Sequence, residues 1–223
     1  MQRLATPELL DSDSGSPAEI SASLSDLRRI NRWFGGVSTT TSMMRRVANK
    51  TGRSALTVLE VAAGSGDVPR GVTVNLRANA VQLKTTLLDR SRAHLPHGGD
   101  RTSAVVGDAL ALPFANASFE VVSCCLFTHH LSPEELGRFV QEALRVCRVA
   151  VLINDLIRDP VHLALVYAGW PLYRSRLTRH DGPASVRAAY TIAEMLDCLK
   201  QTSAREVVVG RHYLFRMGVV VWK

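Results

Sequence analysis

Apolar residues recur along this chain in two rhythms. Dense short runs at 57–62, 84–89, 103–106, 119–124 and 149–154 are rich in Val, Ile and Leu, the pattern of strands buried on both faces. Between them, stretches at 67–81, 91–95, 133–146 and 192–201 show helical spacing, and Ser132-Pro-Glu-Glu135 opens the third with a capping box and a proline at the first helical position. This alternation predicts a mostly parallel sheet covered by helices on both faces. The last runs, Glu206–Val209 and Phe215–Trp222, lie too close together for a crossover helix and predict an antiparallel hairpin. Upstream, Leu24, Leu27 and Ile30 fall at helical spacing before Trp33-Phe34 and the stop signal Gly35-Gly36, with a second short helix expected over 41–49. Residues 1–19, rich in Ser, Asp and Pro, have neither rhythm and read as a partly ordered arm. The chain therefore divides into an arm and helical cap over 1–50 and an α/β core over 51–223, with an insertion near 155–190.

Composition changes this picture little. With 223 residues, 46% of them hydrophobic, the chain can bury one substantial core. A formal charge of +7 raises the question of nucleic acid, and its basic balance keeps an RNA substrate as an alternative. The positive charge is nearly all arginine, however, scattered rather than gathered into a stripe with aromatics, so nucleic acid is not the expected partner. Cys124, Cys125, Cys147 and Cys198 show no C-x-x-C spacing, so reduced packing thiols are expected, without disulfide or metal. No apolar run approaches the ~20 residues that span a bilayer and no signal pattern opens the chain, so a cytoplasmic protein without membrane contact is expected. Oligomeric state leaves no mark on the sequence.

The chemistry begins where Thr57-Val-Leu-Glu60-Val-Ala62 runs into Ala63-Gly64-Ser65-Gly66-Asp67. Glycines at a strand-to-helix turn let the backbone approach a ligand, and the following helix offers unpaired N–H groups. Asp89 ends the next strand, 23 residues past Gly66 (89 − 66), and Val105-Val-Gly-Asp108-Ala109-Leu110-Ala-Leu112-Pro-Phe114 follows. In this order these motifs resemble the class I S-adenosylmethionine (SAM) methyltransferases, with Ala62 in place of their first glycine. The resemblance implies a Rossmann-like seven-stranded sheet whose last strand is antiparallel, and SAM as cofactor. It places the donor against Glu60, Ala62, Gly64, Ser65 and Gly66. It further implies that Asp89, beside Arg90, accepts the ribose hydroxyls, that Asp108 with Ala109 accepts the adenine amino group, and that Leu110 and Leu112 flank the ring. Read alone, Asp89 and Asp108 would be turn-capping carboxylates.

Acceptor chemistry must come from the segments that vary. After the fourth strand stands Leu126-Phe-Thr-His129-His130-Leu131, without the Asn/Asp-Pro-Pro-aromatic pattern of enzymes that methylate exocyclic nitrogens. The His-His-Leu run resembles small-molecule methyltransferases acting on phenols, quinols and polyketides. Either His129 or His130 is a candidate general base, and each could instead cap a helix or pack in the core. Asn154 and Asp155 end the fifth strand, where ligands of open α/β sheets sit. Trp170 and Tyr173 of the aromatic insertion can roof a planar acceptor, or simply cover the core. His180, in the polar stretch 179–187, belongs to a substrate-side loop or a helix entry, and Trp33 belongs to helices that cover the cofactor mouth or seal a sheet edge. The expected activity is O-methylation of a phenolic, quinol or polyketide-type small molecule, with a catalytically silent SAM-binding protein as a further alternative.

Overall fold

A computed structural model describes residues 1–12, 14–78, 80–96 and 103–223. Seven strands form one sheet in the order β3-β2-β1-β4-β5-β7-β6. They are β1 Ala55–Val61, β2 Gln82–Asp89, β3 Ser103–Val106, β4 Phe119–Cys125, β5 Cys147–Leu156, β6 Glu206–Arg211 and β7 Arg216–Trp222. Only β7 runs against its neighbours, pairing antiparallel with both β5 and β6. The helices are α1 Pro17–Trp33, α2 Gly36–Thr51, α3 Asp67–Arg77, α4 Pro133–Val146, α5 Pro160–Ala168, α6 Arg176–Ala188 and α7 Ile192–Leu199.

The period-2 geometry of strands explains the two cores. Leu59, Val61, Val122, Val151, Ile153, Val219 and Val221 face Phe139, Val140 and Leu144 of α4 and Met195 and Leu199 of α7. Their sequence neighbours Leu56, Val58, Val121, Leu152, Val220 and Trp222 face Met43, Met44 and Val47 of α2 and Val72 and Leu76 of α3. Each such buried aliphatic side chain contributes about 1.5–3 kcal/mol. No described helix is long and apolar enough to cross a membrane. All four cysteines are free thiols.

Several expectations need correction. Residues 92–95 form turns rather than a helix, since a five-residue stretch just before Pro96 has no room for a full helical turn of bonds. The helix expected over 67–81 ends at Arg77, and residue 79 lies outside the described residues. The stretch 179–187 is neither loop nor helix entry but the body of α6, capped by Ser175 and carrying Pro183 inside it. Residues 1–12 and 14–16, expected as part of a partly ordered arm, are anchored along their length. They lie along α6 and the β4 exit: Leu4 donates to the Arg187 carbonyl, and Arg3 donates to the carbonyls of Ala188, His129 and Leu131 at 2.7–2.9 Å. Asp181 completes the anchor by accepting from the backbone of Leu9 and Leu10. Ser16 and Glu19 then form the capping box that starts α1.

Candidate active site

A cavity of about 1240 Å³ lies over the carboxyl ends of β1, β2, β4 and β5, between them and the arm, α1, α5 and α6. One half, where the resemblance places the cofactor, is the turn after β1. Ala62, Gly64 and Gly66 all adopt left-handed φ, +52°, +51° and +70°. A Cβ on Gly66 would meet Leu87 Cδ1 at 2.7 Å, whereas one on Gly64 would meet nothing, because Gly64 faces the open cavity. Ala62 thus holds a glycine conformation with a side chain, at a cost of about 1–2 kcal/mol. Asp89 is buried and accepts from Gly64 N–H at 2.8 Å and Ser91 N–H at 3.0 Å, which ties the β2 end to the turn. Ser65 donates to Asp67 at 2.5 Å, and Asp67 is paired to Arg28 of α1 at 2.9 Å. Asp108, Ala109, Leu110 and Arg90 line the cavity. Leu112 does not: it is buried in the α4-side core, because the Asp108–Ala111 bridge turns the chain inward there. Glu60 is buried, and desolvation pushes its carboxyl up to about 7.

The other half gathers residues far apart in sequence. Leu126 leaves β4 in a left-handed conformation, φ +56°, and the 3-10 turn Thr128–His130 follows. His129 is buried with both ring nitrogens engaged: Nδ1 lies 2.7 Å from Asp155 Oδ1 and Nε2 lies 3.4 Å from Glu8 Oε1. Burial lowers its pKa, but the charges and hydrogen bonds of Asp155 and Glu8 outweigh burial and push it up to about 10. His129 is therefore an imidazolium at neutral pH and has no free nitrogen to take a proton. Asp155 also accepts from Thr128 Oγ1 and from the backbone of His129 and Leu156, so it is buried support rather than a cavity-lining group. Burial would raise the carboxyls of Glu8 and Asp11, yet their histidine partners hold both below the ordinary range. His130 lines the cavity, its Nδ1 3.0 Å from Asp11 Oδ2. Ligand atoms of Glu8, His129 and His130 lie within 4.8 Å of one another, close enough to share a divalent cation, but the carboxylate contacts account for this cluster with protons alone.

Of the remaining expected residues, Trp33 and Tyr173 line the cavity. Trp170 does not; it sits outside, edge-on to Tyr167, because α5 ends before Gly169 and a separate 3-10 turn follows. His180 points away on α6, paired with Asp181 at 2.9 Å. Asn154 is likewise withdrawn, donating to the Gly36 carbonyl and Thr40. Residues not foreseen include Glu8, Asp11, Asn31, Arg216 and His162. His162 stacks on Phe215 at 4.9 Å, and burial depresses its pKa. Arg216 alone left a trace in the sequence, as the one charge in an otherwise apolar strand.

Residues 58–149 match the family model described as a methyltransferase domain. Over that stretch, which holds β1 to β4 and the glycine turn, the chain is similar to methyltransferase domains. Solved methyltransferases share its fold over nearly the whole length. The plantazolicin methyltransferase BpumL, in complex with a monoazolic desmethylPZN analog and S-adenosylhomocysteine (SAH), superposes with a TM-score of 0.72 at 14% identity, covering 97% of this chain and 94% of that one. The related BamL gives 0.65 at 14%, over 88% and 89%. Magnesium protoporphyrin IX methyltransferase from Synechocystis PCC 6803, with SAH bound, gives 0.56 at 11%, over 87% and 84%. No curated protein matches the sequence. The site fits a cofactor of the SAM type: the glycine turn leaves Gly64 open toward the cavity while a buried Asp89 stands against it.

Proposed function

We propose that this methyltransferase moves the methyl group of SAM to a hydroxyl oxygen of a phenolic, quinol or polyketide-type small molecule, with His130 as general base. The Asp11–His130 pair carries this reading. An Asp11 carboxylate at Nδ1 requires the Nδ1–H tautomer, which leaves Nε2 to accept the hydroxyl proton. A phenol ionises near pH 10, so it needs such help at neutral pH. SAM, when bound, supplies an electrophilic methyl on a sulfonium; the chain must orient the acceptor, exclude water and take one proton. His129, held as a cation between Glu8 and Asp155, fixes the turn that presents His130. Trp33, Leu165, Tyr173 and Phe215 give the cavity apolar walls suited to a planar acceptor.

A second reading, methylation of an amine on an elongated acceptor, draws on Glu8 and Asp11, two carboxylates at the cavity wall able to hold a cation. Steady-state kinetics with phenols of graded acidity and matched amines tests both. His130→Asn should lower kcat by roughly 10²–10⁴-fold with SAH affinity unchanged, and the deficit should shrink for more acidic phenols. An unaltered kcat and pH profile would remove His130 as base, and turnover confined to amines would transfer the site to the second reading.

A further inference from the structure

Arg216 opens β7, is 2% exposed, and cannot lose its charge. Its guanidinium finds only neutral acceptors. Nε donates to the Phe34 carbonyl at 2.9 Å, Nη2 to Asn31 Oδ1 at 3.1 Å, and Nη1 to Asn154 Oδ1 at 3.5 Å, with Cys125 Sγ at 3.9 Å. These dipoles satisfy its donors without neutralising its charge. Arg158, the other buried arginine, has Glu194 at 2.5 Å. Among the described residues no carboxylate comes within 4.0 Å of Arg216. The buried carboxyl groups of neighbouring strands are not free to serve. Asp155 is taken by His129 and Thr128, and Glu60 faces Ser123 in an environment that favours its neutral form. A buried cation lacking an anion is costly, and is tolerated where a ligand supplies the anion. Arg216 lines the cavity, together with Asn31, Phe34 and Cys125.

We propose that Arg216 is the carboxylate-binding residue of this cavity, its charge completed by a ligand's carboxylate group. Two sources share that chemistry, the amino-acid end of the donor and an acid group on the acceptor. Position favours the donor, since Cys125, 3.9 Å from Nη1, follows Cys124, which pairs with Val61 just ahead of Ala62 and the glycine turn. This deepens the methyl-transfer reading and rests on it only for the donor's identity.

Titration calorimetry on the full chain, with SAH and with an SAH analogue lacking only the carboxylate, tests it. Wild type should bind SAH roughly 10- to 100-fold more tightly than the analogue, the range of a charge-assisted hydrogen bond. R216Q should erase that ratio by weakening SAH while leaving the analogue unchanged within about twofold, and R216K should keep most of it. If R216Q instead binds SAH normally but its SAH-saturated form loses the thermal stabilisation that benzoate gives wild type, the carboxylate belongs to the acceptor and the proposal stands. Equal weakening of SAH and analogue would mean that Arg216 merely props Asn31 and Phe34, and overturns it; so does R216Q matching wild type with SAH, analogue and benzoate alike. None of these readings requires turnover, so they are independent of whether His130 is the base.

Discussion

The two halves of the cavity are built differently. The donor half comes from three strand ends within residues 60–110, each carrying its polar group on a short turn fixed by its own sequence. The acceptor half needs Glu8 and Asp11 from the arm, His130 from the β4 exit and Tyr173 after α5, so no local stretch specifies it. Local construction makes a site that motifs reveal and single substitutions damage cleanly. Distributed construction makes a site whose members depend on one another's docking.

Substitutions in the two halves should therefore separate. The largest expected effect on cofactor binding is Asp89→Ala, which leaves Gly64 N–H without its acceptor and removes the carboxylate expected to hold the ribose, and it should weaken SAH by about 1–3 kcal/mol in calorimetry. Asp11→Asn should leave that affinity intact while lowering kcat; comparable loss of SAH binding in both variants would break the division. Next in size, Tyr173→Ala should raise the acceptor KM several-fold while Trp170→Ala leaves it unchanged, because only Tyr173 lines the cavity. Equal effects would return Trp170 to the site.

Smaller effects concern stability. His129 has a folded pKa of about 10 against about 6.5 when unfolded, so the stability it confers is complete below pH 6.5 and lost as pH rises through 10. Melting temperature should fall between pH 8 and 10.5, and Glu8→Gln should reduce that slope; an unchanged slope would mean Glu8 does not hold the proton. Smallest of all, Ala62→Gly should stabilise the fold by up to about 1 kcal/mol in denaturant unfolding, relief of left-handed strain offset by the greater freedom of glycine in the unfolded chain. Destabilisation there would show that the Ala62 methyl packs usefully.

What the sequence made legible follows the same line. Strand runs, the Ser132 cap, the glycine turn and the places of Asp89 and Asp108 on the cavity wall are readable because each is a local pattern with a local cause. Leu112 was misassigned because neighbouring leucines in one loop can face ligand or core, and only the turn at Asp108 decides. Asp155 sat at the correct strand end but turned to His129, and no spacing rule signals which partner a carboxylate takes. The arm's part in the site leaves no sequence signal for a related reason. Glu8 and Asp11 have no periodicity, and their order comes from Asp181, His129 and His130, more than a hundred residues away.

The position of β7 has a consequence for biosynthesis. It is the latest of the seven strands in the chain, yet it lies between β5 and β6 rather than at the rim. As the polypeptide emerges from the ribosome, β5 must wait with an open hydrogen-bonding edge through some sixty intervening residues, from Leu156 to Arg216. During that interval the nascent chain presents an apolar ladder to any passing strand, an invitation to aggregation that chaperone capture would relieve. Damage to residues 216–222 should therefore show first as insoluble protein in the cell rather than as a weakened enzyme.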